Sequence, residues 1–324
     1  MADVARKAGV STMTVSRVVN GYPGVTAETR HRVEAAIEQL GYRVNAAART
    51  LAGGPSRALG AITLDTSYYG PSHMLLGIEE AASAAGHHLS FVTLRRPDAD
   101  GLRASLDQLR AAHVEAVIAL TPIRSAIDAL AAITPDVPIV ATADLAVGLA
   151  TVSIDQVVGA RLATRCLLDA GHATVHHIRG PDDWLDAEDR ERGWKQELQS
   201  KDRSIGRCLT GDWSPRSGYE AGRVLAEDPQ VTAVFAANDQ MALGLLLALH
   251  EGGRAVPGDV SVVGFDDTPE SAFYDPPLTT IRQDFHELGR LSVEHMLAAI
   301  RDEHRHDHVT VTPELVVRAS TAPP

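Results

Sequence analysis

Asp266 and Asp267 are adjacent carboxylates, and His304, His306 and His308 alternate through the charged run Arg-Asp-Glu-His-Arg-His-Asp-His. The pair has the residue types for general acid–base work, and the histidines have the types for holding a metal. Neither has the company such chemistry needs. The histidines follow a helical stretch, where a charged run is ordinarily a solvated linker. The chain has no Gly-x-Ser-x-Gly elbow, phosphate-cradling loop or dinucleotide fingerprint. Its two cysteines, Cys166 and Cys208, make neither a disulfide framework nor a zinc set. Binding without catalysis, and without a cofactor, is the better reading. The most informative side chains lie near the N-terminus, where Thr12, Met13, Ser16 and Arg17 form the outward face of a short helix.

That face needs a scaffold. Val4, Ala5 and Ala8 give a first helix one apolar stripe, Gly9 ends it, and Ser11 caps a second helix from about Thr12 to Val19. The second helix hides Val15, Val18 and Val19. Thr26 caps a third, which buries Val33, Ala36, Ile37 and Leu40 and ends at Gly41. A helix, a glycine turn and a second helix that is polar at its start form the helix-turn-helix pattern. Charge agrees with it. Residues 1–57 carry eight basic and four acidic side chains, +4, while the remainder carries 22 and 38, −16, within a net charge of −12. Only the first segment could be held by a phosphate backbone.

From Ala58 the texture changes to alternating strands and helices. Strand candidates are Leu59–Leu64, Leu89–Leu94, Ala116–Leu120, Ile139–Thr142, Val175–Ile178, Val231–Ala236 and Val260–Phe265. Helices fall between them, at Leu75–Ala85, Leu102–Ala112, Val157–Ala170, Tyr219–Glu227 and Met241–His250. This rhythm predicts doubly wound parallel sheets, two rather than one, with ligands beyond the carboxyl ends of strands. The 324 residues suit two units and a small appendage, and 44% hydrophobic content suffices for a core. No apolar N-terminal stretch resembles a signal peptide, and the longest apolar run, Met241–Leu249, is about half a membrane span. A cytoplasmic protein with no membrane partner is expected.

The string Asp-Val-Ala-Arg-Lys-Ala-Gly-Val-Ser-Thr-Met-Thr-Val-Ser-Arg-Val-Val-Asn-Gly, starting at Asp3, resembles the headpiece of the lactose-repressor (LacI/GalR) family of bacterial transcription regulators. The resemblance runs through Glu38-Gln39-Leu40-Gly41-Tyr42 to the Asn45, Arg49 and Leu51 segment. It then covers the whole chain, with Val262–Thr268 and Tyr274–Asp284 closest to the lactose-repressor branch. It implies that Thr12, Met13 and Arg17 reach base edges in the major groove. There Arg17 can fork onto guanine O6 and N7, and Met13 offers apolar contact to a thymine methyl. Thr14, Ser16 and Asn20 match positions that touch phosphates. Leu51 matches a hinge-helix leucine that wedges into the minor groove at the operator centre, and Asn45, Ala48 and Arg49 share that helix. Val44 stands where the family usually has proline. The family also has residues ahead of Asp3, including a capping threonine, which implies a start upstream of Met1 or a frayed first helix.

The implied architecture is an all-α helix-turn-helix headpiece (1–44), a hinge helix and linker (45–57), and an α/β core (58–324). The core has two doubly wound parallel-sheet lobes of periplasmic-binding-protein type. Lobe 1 takes in about 58–154 and 284–312, and lobe 2 about 155–283 and 313–324. Sugar recognition needs planar polar groups that bridge adjacent hydroxyls and a flat apolar surface for the ring's C–H face. Arg190, Asn238, Asp266, Gln283 and Trp213 match the family's ligand positions, and Asp65 and Tyr69, with Tyr68, are candidate walls on the first lobe. Composition alone would put Arg190 in a surface salt bridge within Glu188–Arg192, and plain core packing is the rival reading for Trp213. Leu64 and Asp65 stand where the lactose-repressor branch has serines, and Ala143, with Asp144 beside it, where it has an acidic ligand residue. The expected protein is a homodimer, since no leucine heptads follow the core. It binds operator DNA and a small-molecule sugar effector, with a galactoside suspected. The alternative is a sugar-binding protein without regulatory DNA activity.

Overall fold

Gly9 adopts φ 64° and ψ 39°, which glycine reaches without steric cost, and so closes α1 (Ala2–Ala8). Ser11 Oγ then accepts from Thr14 N at 3.1 Å and starts α2 (Thr12–Val19). Thr26 Oγ1 does the same for Thr29 N at 3.3 Å, opening α3 (Ala27–Leu40), which ends at Gly41 with φ 57°. Val4, Ala5, Ala8, Val15, Val18, Val33 and Ala36 form the core these helices share. Leu40, expected on the buried stripe, is 42% exposed, and Val19 and Ile37 are only half-buried. Val19 and Ile37 still pack against that core from its margin, while Leu40 lies in the last turn of the 14-residue α3, beyond the reach of the 7- and 8-residue α1 and α2.

This computed structural model describes residues 1–19, 23–42, 55–64, 67–134, 136–143, 149–301, 303 and 308–324. Contacts divide the chain into two units, Met1–Arg57 and Ala58–Pro324. The second unit holds two parallel sheets. The larger comprises β1 (Ala58–Thr63), β2 (His88–Thr93), β3 (Ala116–Leu120), β4 (Ile139–Ala141), β5 (Ala150–Ile154) and β11 (His308–Val311), ordered β11-β5-β4-β3-β1-β2. Between its strands run α4 (Tyr69–Ala84), α5 (Ala99–Ala111) and α6 (Arg124–Ala131). β1 and β3 are buried at every residue, as central strands covered on both faces must be, while edge strand β2 is not.

The smaller sheet comprises β6 (His176–Arg179), β7 (Cys208–Thr210), β8 (Ala233–Ala236) and β9 (Ser261–Val263), ordered β7-β6-β8-β9. Its helices are α7 (Gln156–Asp169), α8 (Leu185–Ser200), α9 (Pro215–Ala226) and α10 (Asp239–Glu251). The chain crosses between the sheets three times. It leaves β5 for α7 at Asp155, returns from β10 (Thr280–Arg282) to α11 (Phe285–Ile300), and leaves β11 for β12 (Glu314–Val316). α11 packs on the first sheet beside α4, and β12 pairs antiparallel with β10. His308 therefore lies in a strand rather than a solvated linker: it pairs with Thr151 in β5, and its Nδ1 contacts Thr151 Oγ1. His304 and His306 lie outside the described residues. Among the described residues, no three His, Cys, Asp or Glu side chains gather to hold a metal.

One core side chain makes stability depend on pH. His177 in β6 is fully buried, stacked on Phe235 with ring centroids 4.6 Å apart, and its Nδ1 lies 2.8 Å from Phe235 O. Nε2 has no partner among the described residues, and burial pushes the pKa down to about 4. Between pH 6.5 and 4 the unfolded chain therefore binds the extra proton and stability falls as pH falls. Urea unfolding across that window should lose stability on acidification. His177→Gln should lessen the slope by about 1 kcal/mol per pH unit, bounded by the roughly 1.4 kcal/mol that one proton allows. An unchanged slope would show that His177 does not titrate.

Candidate functional site

Where the chain crosses between lobes, four polar side chains hydrogen-bond in series. Gln156 is the first residue of α7, after the Asp155 cap that accepts from Val158 N at 2.9 Å. Its Oε1 accepts from Arg190 Nε at 2.8 Å, and its Nε2 donates to Gln283 Oε1 at 2.9 Å. Gln283, at the second crossover, donates to Asp266 Oδ1 at 2.7 Å. Arg190 Nη1, 3.7 Å from that same oxygen, also donates to Ala237 O, and its guanidinium lies 3.8 Å from the Phe265 ring centroid. Arg190 is thus 4% exposed and its charge faces inward, not along the Glu188–Arg192 surface.

Beside this chain of bonds is a cleft lined by residues of both lobes. The first lobe lends it Tyr68, Tyr69, Gly70, Pro71, Met74 and Pro122. The second lends Trp184, Asp186, Arg190, Trp213, Asn238, Gln240 and Asp266, and Gln283 completes it. Trp184 joins two aromatic contacts, edge-on to Tyr68 at 5.4 Å and to Trp213 at 5.5 Å. A Cβ on Gly180 would collide with the Trp213 ring, so that glycine provides the space for it. Asn238 caps α10, accepting from Met241 N at 2.9 Å and donating to Trp213 O at 3.1 Å. Trp213, Asp266 and Asp267 all have positive φ (73°, 112° and 54°), strain of the kind that collects at functional sites.

Burial raises the acids. Asp266 is pushed up to about 7, opposed by Arg190 and the Gln283 amide, and Asp186 to about 6. Behind them Asp239 rises to about 8, chiefly through burial and then through Asp266. It accepts from Thr280 Oγ1 at 2.5 Å and from Thr268 N at 2.8 Å. Asp267 faces elsewhere, onto Arg318 at 2.5 Å and Arg282 at 2.7 Å. The adjacent carboxylates are therefore split between cleft and scaffold and do not form an acid–base pair.

In the first unit, Thr12, Met13 and Arg17 are exposed, Met13 at 68%, and Thr14 and Ser16 are half-buried beneath them. This places the polar residues and one cation on the open side of α2, opposite Val15 and Val18.

The family description "Bacterial regulatory proteins, lacI family" matches residues 1–45, and "Periplasmic binding protein-like domain" matches 164–321. The chain is 35% identical to the lactose operon repressor of Escherichia coli over 325 residues, covering 99% of this chain and 90% of that protein. The chain belongs to the LacI family.

A second relative, the HTH-type transcriptional repressor PurR of Haemophilus influenzae, is 34% identical over 331 residues, covering 98% of this chain and 97% of that protein. A crystal structure of the Lac repressor dimer bound to operator and the anti-inducer ONPF superposes with a TM-score of 0.88 at 35% identity, covering 99% of this chain and 98% of that one. The sequence-predicted ligand residues Tyr69, Arg190, Trp213, Asn238, Asp266 and Gln283 all line the one cleft. Asp65, Asp144, Asn20 and the hinge residues Asn45, Ala48, Arg49 and Leu51 lie outside the described residues. Trp184, Asp186 and Gln156 escaped sequence reading. The available signal was helical spacing: Asp186 precedes Arg190 by four residues and so shares its face of α8.

Proposed function

We propose that this LacI-family chain is a ligand-controlled transcriptional repressor, a cytoplasmic homodimer that binds operator DNA and releases it on binding a galactoside such as lactose. The proposed division is a headpiece over 1–44, a hinge and linker over 45–57, and the core over 58–324. In the headpiece Thr12, Met13 and Arg17 read bases, while Thr14, Ser16 and Asn20 hold phosphates. Asn45, Ala48, Arg49 and Leu51 engage the minor groove.

One observation carries the effector half of this reading: Arg190, Gln156, Gln283 and Asp266 bond in series beside the cleft, with two of the four at lobe crossovers. A ligand inserted among them contacts the groups that set the arrangement of the lobes. Planar amide, guanidinium and carboxylate groups beside tryptophan faces suit a sugar's adjacent hydroxyls and its C–H face. Catalysis forms no part of the proposal.

Fluorescence anisotropy on DNA upstream of the chain's own reading frame, with lactose, other mono- and disaccharides, and purine bases added in turn, tests it. Specific, salt-sensitive binding reversed by lactose is expected. Arg17→Ala should weaken it by about 1–3 kcal/mol and relax preference at one base position. Release by a purine base but by no sugar would replace the galactoside.

A further inference from the structure

We infer that Asp186 is the specificity-determining residue of this cleft: an unpaired carboxylate that accepts from ligand hydroxyl or amine groups and turns anionic ligands away. The inference rests on the sugar-effector reading and narrows it to neutral or cationic glycosides, excluding sugar phosphates and uronates. It begins from the pairing of the neighbouring acids. Asp266 is held by Gln283 and lies 3.7 Å from Arg190, Asp239 is held by Thr280 and Thr268, and Asp267 by two arginines. The Asp186 carboxylate, half-buried in the first turn of α8 and lining the cleft, makes no hydrogen bond and no ion pair within 4 Å among the described residues, and only the electrostatic pull of Arg190, one helical turn on, favours its charge.

Arg190 is the one cation among the described residues lining the cleft, and it already serves Gln156 and Ala237 O. An anion entering there meets Asp186 with no free positive charge to offset it. A second, independent feature points to a ligand. Trp213 is 5% exposed and lines the same cleft, yet its Nε1 donor has no acceptor among the described residues. An unsatisfied buried donor and a partly desolvated carboxylate are both costly without a partner. A hydroxylated ligand can supply both partners at once, giving an acceptor to Trp213 and donors to Asp186. A uronate or sugar phosphate has hydroxyls too, but its anionic group offers acceptors where Asp186 needs donors, and adds a like charge.

Calorimetry on the full chain near neutral pH, with lactose, D-galactosamine, D-galacturonate and D-galactose 6-phosphate as probes, tests the assignment. Lactose and galactosamine should bind, and the two anions should bind about tenfold or more weakly. Asp186→Asn should weaken lactose by about tenfold and narrow the galactosamine-to-galacturonate preference by a similar factor, while Asp186→Glu restores the preference. Melting of the unliganded variants reports whether they fold; should the asparagine variant melt early, the glutamate variant alone carries the comparison. Equal binding of galacturonate and lactose by the unaltered chain overturns the inference, as does an asparagine variant with unchanged affinities. If the chain binds none of the four yet still binds operator, the sugar reading falls and this inference falls with it.

Discussion

Replacing Arg190 with alanine should abolish the effector response and cost the core about 3–5 kcal/mol of stability, the range for removing one partner of a buried ion pair. The substitution leaves Asp266 without its counter-charge in a site where burial already raises its pKa. It also strips Gln156 Oε1 and Ala237 O of a donor and opens a void against the Phe265 ring. Arg190→Lys keeps the charge but not the planar fork, so it should keep part of the stability and little of the binding. The paired change Arg190→Met with Asp266→Leu separates the two roles. Removing both charges together should recover much of the stability, because the desolvation penalty disappears with the pair. The effector response should stay lost. Urea unfolding gives the first quantity and sugar-dependent DNA release the second. A single alanine variant that unfolds like the parent would mean that Arg190 is not the electrostatic centre of the cleft.

Residues whose role is fixed by local pattern were the most legible in the sequence. Gly9, Ser11, Thr26 and Gly41 begin or end helices through their own backbone and side-chain chemistry, and they do so here. Strands β1, β3 and β4 are short apolar runs bounded by polar turns. Strands β7 and β12 are three residues each with partly exposed faces, too short and too polar to leave a pattern. β11 carries strand-favouring Val309, Thr310 and Val311, but it adjoins the charged histidine run and pairs only with β5, far away in sequence. The cleft divides in the same way. Arg190, Asp266 and Gln283 sit in strings that resemble the family. Gln156 matters through partners 34 and 127 residues away, and no local pattern encodes a bond of that span. Trp184 meets Tyr68 across lobes, so its place depends on how the two sheets face each other.

Operator DNA and lactose should weaken each other's binding by the same factor. A ligand shifts an equilibrium only as far as it prefers one state, and here the states available are arrangements of the two lobes. The crossovers at Asp155 and Gln283 are tied to each other by the Gln156–Gln283 bond at 2.9 Å, with Arg190 and Asp266 at either end of the series. Sugar hydroxyls that compete for these amides, or bridge Arg190 to the first-lobe tyrosines, favour another arrangement. In the proposed dimer that change alters how the paired first lobes present the two headpieces to a half-site pair with fixed spacing. Linkage then requires symmetry: if lactose lowers operator affinity by about 5–150-fold, or about 1–3 kcal/mol, operator lowers lactose affinity equally. Titrating lactose by calorimetry with and without saturating operator measures one side, and anisotropy with and without saturating lactose measures the other. Gln283→Leu, which removes the middle of the bonded series, should shrink both factors together. Equal lactose affinities in the two titrations would sink the regulatory reading even if sugar binding stands.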